Sequence, residues 1–162
     1  MATLSVLKFP TADGAQHMEG ALLALHKQHL IEVQDAAIVA WPQGAKKPKT
    51  QQLHSMTGAG ALQGAFWGML FGLIFFIPFF GLAVGAAMGA LSGKFADYGI
   101  DDNFIKQTRE KVTEGTSALF LLTSGAVVDK VVEALKGQTF EILSTNLPKD
   151  KEDALRAAFS AE

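Results

Sequence analysis

The apolar and polar positions of this chain divide it into one long uncharged stretch and two flanking parts with mixed patterning. No Asp, Glu, Lys or Arg lies between Lys49 and Lys94, and glycine recurs there at every fourth position in two series. The first series is Gly60, Gly64, Gly68 and Gly72, and the second is Gly81, Gly85, Gly89 and Gly93. Each glycine costs a water-exposed helix about 1 kcal/mol relative to alanine, whereas between helices in lipid it permits close backbone approach. The pattern predicts a glycine-zipper helical hairpin over residues 56–97 that inserts into a membrane.

The lengths of the two arms predict how deeply the hairpin enters. As helices, residues 60–76 and 79–96 would each extend about 26–27 Å, slightly less than a hydrocarbon core of about 30 Å. The predicted membrane tip consists of Phe75, Phe76, Pro78, Phe79 and Phe80. Because this tip is apolar, we expect it to stay within the bilayer or just to reach the far interface. Trp67, in the middle of the first arm, is predicted to face lipid or another helix.

The glycine spacing also predicts self-association. Positions four apart advance about 400° around a helix, so the glycine stripe drifts by about 40° at each step. A single partner helix would not contact all of it, which favours hairpins from several copies packed side by side. Two alternatives stay open: the glycines close one hairpin on itself, or a glycine-rich apolar pair is buried inside a water-soluble oligomer.

The flanking parts contain short runs in which apolar residues recur at the spacings typical of strands and of amphipathic helices. Strands are predicted over residues 3–9, 33–41, 49–54, 117–123 and 139–145, with residues 117–123 central. Helices are predicted from Asp13 to about residue 29, from Asp101 or Asp102 to about residue 115, from residue 124 to 137, and after residue 148. Asp13 with Gln16 matches a capping box. Residues 1–55 and 98–162 are therefore expected to form one α+β, ferredoxin-like domain that the hairpin interrupts.

The charges around the hairpin predict its orientation. Lys46, Lys47 and Lys49 precede the apolar stretch and Lys94 follows it. Positive residues beside membrane segments favour the cytoplasmic side, so both parts of the α+β domain are expected on the cytoplasmic side of the membrane. The same lysines could contact lipid headgroups, or they could simply be solvated. A net charge of −2 argues against a nucleic-acid partner.

Two short segments beyond the hairpin carry a resemblance. Residues 99–102 read Gly-Ile-Asp-Asp, and residues 115–120 read Gly-Thr-Ser-Ala-Leu-Phe. Together with the glycine-rich hairpin they resemble a bacterial family of small predicted membrane proteins whose domain is of unknown function, and more distantly bacterial general-stress proteins. The resemblance covers nearly the whole chain. It implies an architecture and a bacterial origin, and it brings no catalytic residues.

Candidate chemistry is sparse. His26 and His29 lie three positions apart and could share a helix face, but a zinc site needs three or four donors, which favours ordinary surface histidines. Gly58, Gly60 and Gly64 depart from the dinucleotide-binding spacing, and no acidic residue follows at the distance that a ribose requires. With no Cys, thiolate sites are excluded. We therefore expect no enzyme activity, no cofactor and no metal.

These observations favour a non-enzymatic membrane protein whose partners are lipids and other copies of itself. Its expected role is to shape the membrane or to protect it under stress. A ring of hairpins forming a small pore is an alternative from the transport class, although only Gln63 and Ser92 are polar between residues 58 and 93. A soluble oligomeric sensor of a small ligand is the second alternative.

Overall fold

The computed structural model describes residues 2–28, 33–53, 64–76, 93–124, 127–135, 137 and 139–159. These residues form a mixed α+β fold, as predicted. The strands are β1 (Ala2–Phe9), β2 (Val33–Ala40), β3 (Lys49–Gln52), β4 (Ser117–Ser124) and β5 (Glu141–Leu147). The helices are α1 (Gly14–Lys27), α2 (Gly64–Phe71), α3 (Asp102–Lys111), α4 (Val127–Ala134) and α5 (Lys149–Phe159). A π-helical segment, Gly72–Phe76, continues α2.

The five strands form one antiparallel sheet in the order β3-β2-β4-β1-β5. The apolar strand β4 lies in the middle, which confirms the prediction made for residues 117–123. Val6 of β1 pairs with Phe120 on one side and with Leu143 of β5 on the other. Strand β2 pairs with both β3 and β4, so β3 and β5 are the two edges. The sheet therefore brings together residues from both sides of the apolar stretch.

Helices cover both faces of the sheet. Because successive residues of a strand point to opposite faces, the even-numbered residues Leu4, Val6 and Phe120 join one core cluster and the odd-numbered Leu7 and Leu119 join the other. The second cluster lies under α1 and α4. The first lies under α2, its π-helical continuation, α3 and α5. We call the face that carries Leu4, Val6 and Phe120 the docking face.

Two helix starts that look alike in sequence differ in the structure. Asp101 caps α3, since its Oδ1 accepts a hydrogen bond from the Phe104 N–H at 2.8 Å. Asp13 precedes α1 but makes no capping hydrogen bond through its side chain, so the predicted capping box with Gln16 is wrong. The backbone of Asp13 already has helical angles, φ −108° and ψ 0°, in place of the extended ones in which an N-cap side chain reaches back to the helix.

This difference gives a matched pair of substitutions. Asp101→Ala is expected to lower the free energy of unfolding by about 1 kcal/mol, because it removes the acceptor for an otherwise unpaired helix N–H. Asp13→Ala is expected to leave the unfolding midpoint almost unchanged. Urea unfolding followed by circular dichroism measures both variants. Equal losses for the two would contradict the assignment of the caps.

The bounds of one helix and one strand differ from the sequence prediction. Helix α3 ends at Lys111 rather than near residue 115, because the Thr116 hydroxyl binds both the N–H and the carbonyl oxygen of Thr113 and so closes a turn. Strand β5 begins at Glu141, two residues after the predicted start, and runs to Leu147, where it still pairs with Ala2. Pro148 follows and has no N–H with which to continue the ladder.

Candidate functional site

The first arm of the predicted hairpin lies on the docking face of the sheet. We call residues 64–76, which comprise α2 and its π-helical continuation, the docked segment. Its side chains that lie in the core are Phe66, Trp67, Leu70, Phe71, Leu73, Ile74 and Phe75. Trp67 is only 2% exposed, so in this structure its side chain is buried in the domain and does not face lipid. None of the helices within the described ranges is both long enough and apolar enough to cross a bilayer.

Aromatic rings join the docked segment to the rest of the domain. The ring centroid of Phe66 lies 5.5 Å from that of Phe159 in α5 and 5.9 Å from that of Phe95. The ring of Phe71 lies 5.0 Å from that of Phe120 at the centre of the sheet, at an interplanar angle of 80°. Such edge-to-face pairs are a favoured geometry for aromatic side chains. The segment therefore belongs to the hydrophobic core of the α+β domain.

A buried carboxylate holds the first half of the docked segment. Asp35 of β2 is 0% exposed, and its Oδ2 accepts a hydrogen bond from the Trp67 indole Nε1 at 3.1 Å. Both of its oxygens also accept from Gln52 Nε2 at 3.1 Å, and Oδ1 accepts from the Ala36 N–H at 2.9 Å. Asp35 stands two positions before Ala37, which belongs to the core cluster of the docking face, so the alternation of β2 places the carboxylate on that face. The register shift between Val33 and Asp35 places Val33 in the opposite cluster. Asp35 thus joins β2, β3 and α2.

A guanidinium holds the end of the docked segment. Arg109 of α3 donates from Nε to the Ile74 carbonyl oxygen and from Nη2 to the Leu73 carbonyl oxygen, both at 3.0 Å. Pro78 stands four residues after Ile74 and five after Leu73, the spacings at which an α-helix or a π-helix would supply an N–H donor. Proline has no N–H. Arg109 therefore donates to the two carbonyl groups for which Pro78 has no N–H to offer.

Sequence reasoning missed both Asp35 and Arg109. An isolated acid in the apolar strand β2 was a signal, since a lone buried carboxylate requires donors. Those donors lie on β3 and α2, and no local pattern identifies them. For Arg109 the signal was Pro78, whose missing N–H leaves carbonyl groups in need of a donor. That the donor comes from α3 follows only from the tertiary structure.

Gly68 and Gly72 lie on the opposite side of the docked segment from its aromatic side chains. Gly68 is exposed and Gly72 is partly exposed. Among the described residues, a Cβ built on Gly68, Gly72 or Gly93 meets no heavy atom within 4 Å. Gly64 is the first residue of α2. The remaining members of the predicted zipper lie outside the described residues: Gly60, Gly81, Gly85 and Gly89.

The predicted tip and the predicted headgroup contacts occupy different surroundings. Phe75 is buried, and its ring lies 6.1 Å from that of Trp41 at an interplanar angle of 88°. Phe76 ends the π-helical segment. Pro78, Phe79 and Phe80 lie outside the described residues. The four lysines at the ends of the apolar stretch are all exposed: Lys46, Lys47, Lys49 and Lys94.

Neighbouring charges and burial shift the pKa of ionisable groups elsewhere in the domain. Lys111, at 3.4 Å, and Lys8, at 3.5 Å, lie beside Glu141 and lower the pKa of its carboxyl group. Burial against the aromatic core, helped by the charge of Asp97, raises the pKa of the Tyr98 phenol. In the described part of the chain, no three His, Asp or Glu side chains are grouped as a metal ion would require.

Comparison with known proteins places the chain in a family. No curated protein and no solved structure matched it. A family model described as "Protein of unknown function (DUF1269)" matches residues 61–160, which include the docked segment, Arg109 and strands β4 and β5. Since this match covers more than half of the 162 residues, the chain belongs to the DUF1269 family.

Proposed function

We propose that this chain is a non-enzymatic membrane protein that forms homo-oligomers through its glycine-zipper hairpin and that shapes or protects the bacterial inner membrane. Its partners are lipids and further copies of itself, and its α+β domain faces the cytoplasm. The domain is ferredoxin-like in this proposal. The order β2-β4-β1-β5, with α1 after β1 and α4 after β4, supports that description, with β3 and the hairpin inserted between β2 and β4.

The observation that carries the proposal is that the docked segment has one buried aromatic side and one open glycine side. Its aromatic side chains meet the sheet, while Gly68 and Gly72 leave an open surface on the other side. A soluble helix gains nothing from exposed glycines, which cost about 1 kcal/mol each relative to alanine. Glycines on the open side become favourable once a second helix approaches closely enough to contact the backbone. We assign that second helix to the hairpins of neighbouring copies.

The test adds side chains to the open surface at Gly68 and Gly72 and changes no residue of the core. The double variant Gly68→Leu, Gly72→Leu adds side chains at two positions where a Cβ meets no described atom within 4 Å, so the α+β domain is expected to stay folded. The expected result is a smaller particle after extraction from membranes in mild detergent, measured by light scattering coupled to size exclusion. Gly20→Leu is the matched control, because Gly20 is an exposed glycine of α1 with the same open space around it. An unchanged particle size for the double variant would refute the packing role of these glycines.

One observation favours a second candidate, a water-soluble oligomer in which the same glycine surface forms the subunit interface. The burial of Phe66 and Trp67 against the sheet gives the first arm an apolar environment without lipid. Cell fractionation distinguishes the two functions. Recovery in the membrane fraction, resistant to high salt, supports the membrane protein, whereas recovery in the supernatant without detergent supports the soluble oligomer.

A further inference from the structure

The docked segment has two environments in which its apolar side chains can be buried. One is the docking face of the sheet, where the structure shows it, and the other is the lipid that the proposed function requires. Hydrocarbon is about as apolar as a protein core, so moving the side chain of Phe66 or Leu70 between the two changes the free energy little. The sheet face that the segment leaves loses its apolar cover, which favours the docked state. Polar contacts that exist only in the docked state add to this preference.

Two such contacts are polar and lie near opposite ends of the segment. The Trp67 indole donates to the carboxylate of Asp35, and the carbonyl groups of Leu73 and Ile74 accept from Arg109. Trp67 and Ile74 are seven residues apart, about 10 Å along a helix. Lipid tails offer neither a carboxylate nor a guanidinium, so both sets of hydrogen bonds are lost when the segment leaves the sheet.

We propose that Asp35 and Arg109 form a two-point latch that holds residues 64–76 on the sheet and so controls their release into a lipid surface. This inference rests on the proposed membrane function and adds its regulation. An equilibrium between two states shifts only by the difference in free energy between them. Asp35 and Arg109 contribute to that difference through hydrogen bonds made only in the docked state, so loss of either one moves the segment toward lipid.

The chain offers its own reporter for this equilibrium. It contains two tryptophans, Trp41 and Trp67. In the Trp41→Phe background, Trp67 is the single tryptophan and lies within the docked segment. Phosphatidylcholine vesicles with dibrominated acyl chains quench an indole that enters the hydrocarbon and spare one that is buried in protein. Quenching of Trp67 therefore measures the fraction of released segment.

The test compares latch variants with charge-matched controls in this background. Arg109→Gln and Asp35→Asn are expected to increase vesicle partitioning of Trp67 by about tenfold, the scale set by loss of hydrogen bonds to a charged group. Lys111→Gln is the control for Arg109→Gln, because it removes the same charge from the same helix at a side chain whose contact is with Glu141. Glu110→Gln is the control for Asp35→Asn, because it removes an exposed carboxylate. Both controls are expected to match the background.

Each outcome distinguishes the latch from the function on which it rests. Arg109→Lys keeps the positive charge but lacks the planar fork that reaches both carbonyl groups, so its Trp67 should partition into vesicles more than in the background. This variant takes the place of Arg109→Gln in the comparison if Arg109→Gln fails to fold. If vesicle binding persists and all three latch variants quench like the background, the latch is wrong and the membrane function stands. Equal increases in Arg109→Gln and Lys111→Gln would likewise overturn the latch. If no variant and no background protein binds vesicles, the membrane function and the latch both fall.

Discussion

Replacing Phe66 by alanine is expected to lower the free energy of unfolding of the α+β domain by about 3–5 kcal/mol. Phe66 is fully buried, and its ring meets those of Trp67, Phe95 and Phe159 at centroid distances of 5.0 to 5.9 Å. Its removal would leave a cavity between α2, α5 and Phe95. Denaturant unfolding followed by far-ultraviolet circular dichroism measures the loss.

Met69→Ala provides the control on the same helix. Met69 is only partly buried and packs at the edge of the core cluster, so its truncation is expected to cost about 1 kcal/mol or less. If Phe66 belonged only to a membrane hairpin, its truncation would leave the unfolding of the α+β domain unchanged. Similar midpoints for Phe66→Ala and Met69→Ala would thus contradict the docked position of this segment.

Replacing Asp35 by alanine is expected to cost about 2–3 kcal/mol of unfolding free energy. The carboxylate accepts hydrogen bonds from Trp67, Gln52 and the Ala36 N–H, and the substitution removes the acceptor from all three donors. Buried donors without a partner carry a desolvation cost. Chemical unfolding of the purified variant, with Glu110→Ala as the exposed control, measures the difference.

A double-mutant cycle separates this network from a general loss of packing. Trp67→Phe removes the indole donor and keeps an aromatic ring, so its cost should be smaller after Asp35→Ala than in the wild-type chain. Residues that share a hydrogen bond show such coupling, whereas distant residues give additive losses. Strict additivity of Asp35→Ala and Trp67→Phe would show that the hydrogen bond at 3.1 Å contributes nothing to stability.

The elements of the α+β domain could be predicted because their signals are local. Residues 3–9 and 117–123 are short apolar runs that end at turn residues, and they became β1 and the central strand β4. The helix predicted after residue 148 is α5, and its apolar residues Leu155 and Phe159, four positions apart, are both buried. Local signals failed where two backbone conformations suit the same residues, as at Asp13, where a favourable capping sequence forms no cap.

The environment of the apolar stretch could not be predicted in the same way. Periodicity shows that residues 64–76 form a helix and that they avoid water, but a sheet face and a lipid tail satisfy the same apolar side chains. The sequence therefore indicated a membrane hairpin, while the structure places this part of it on the sheet. The hydrogen bonds that distinguish the two environments are made by Asp35 and Arg109, which lie in other elements.

The amino-acid sequence by itself determined which segments are strands, which are helices and where glycine replaces larger side chains, because these properties depend on residues within one or two turns of each other. Only the tertiary structure decided which face of the sheet the docked segment covers and which groups hold it there. Those contacts join Trp67 to Asp35 across 32 positions and Arg109 to Ile74 and Leu73 across 35 and 36 positions. No local pattern encodes such pairs, since they arise when the β2–β4 register and the packing of α3 bring distant polar groups together.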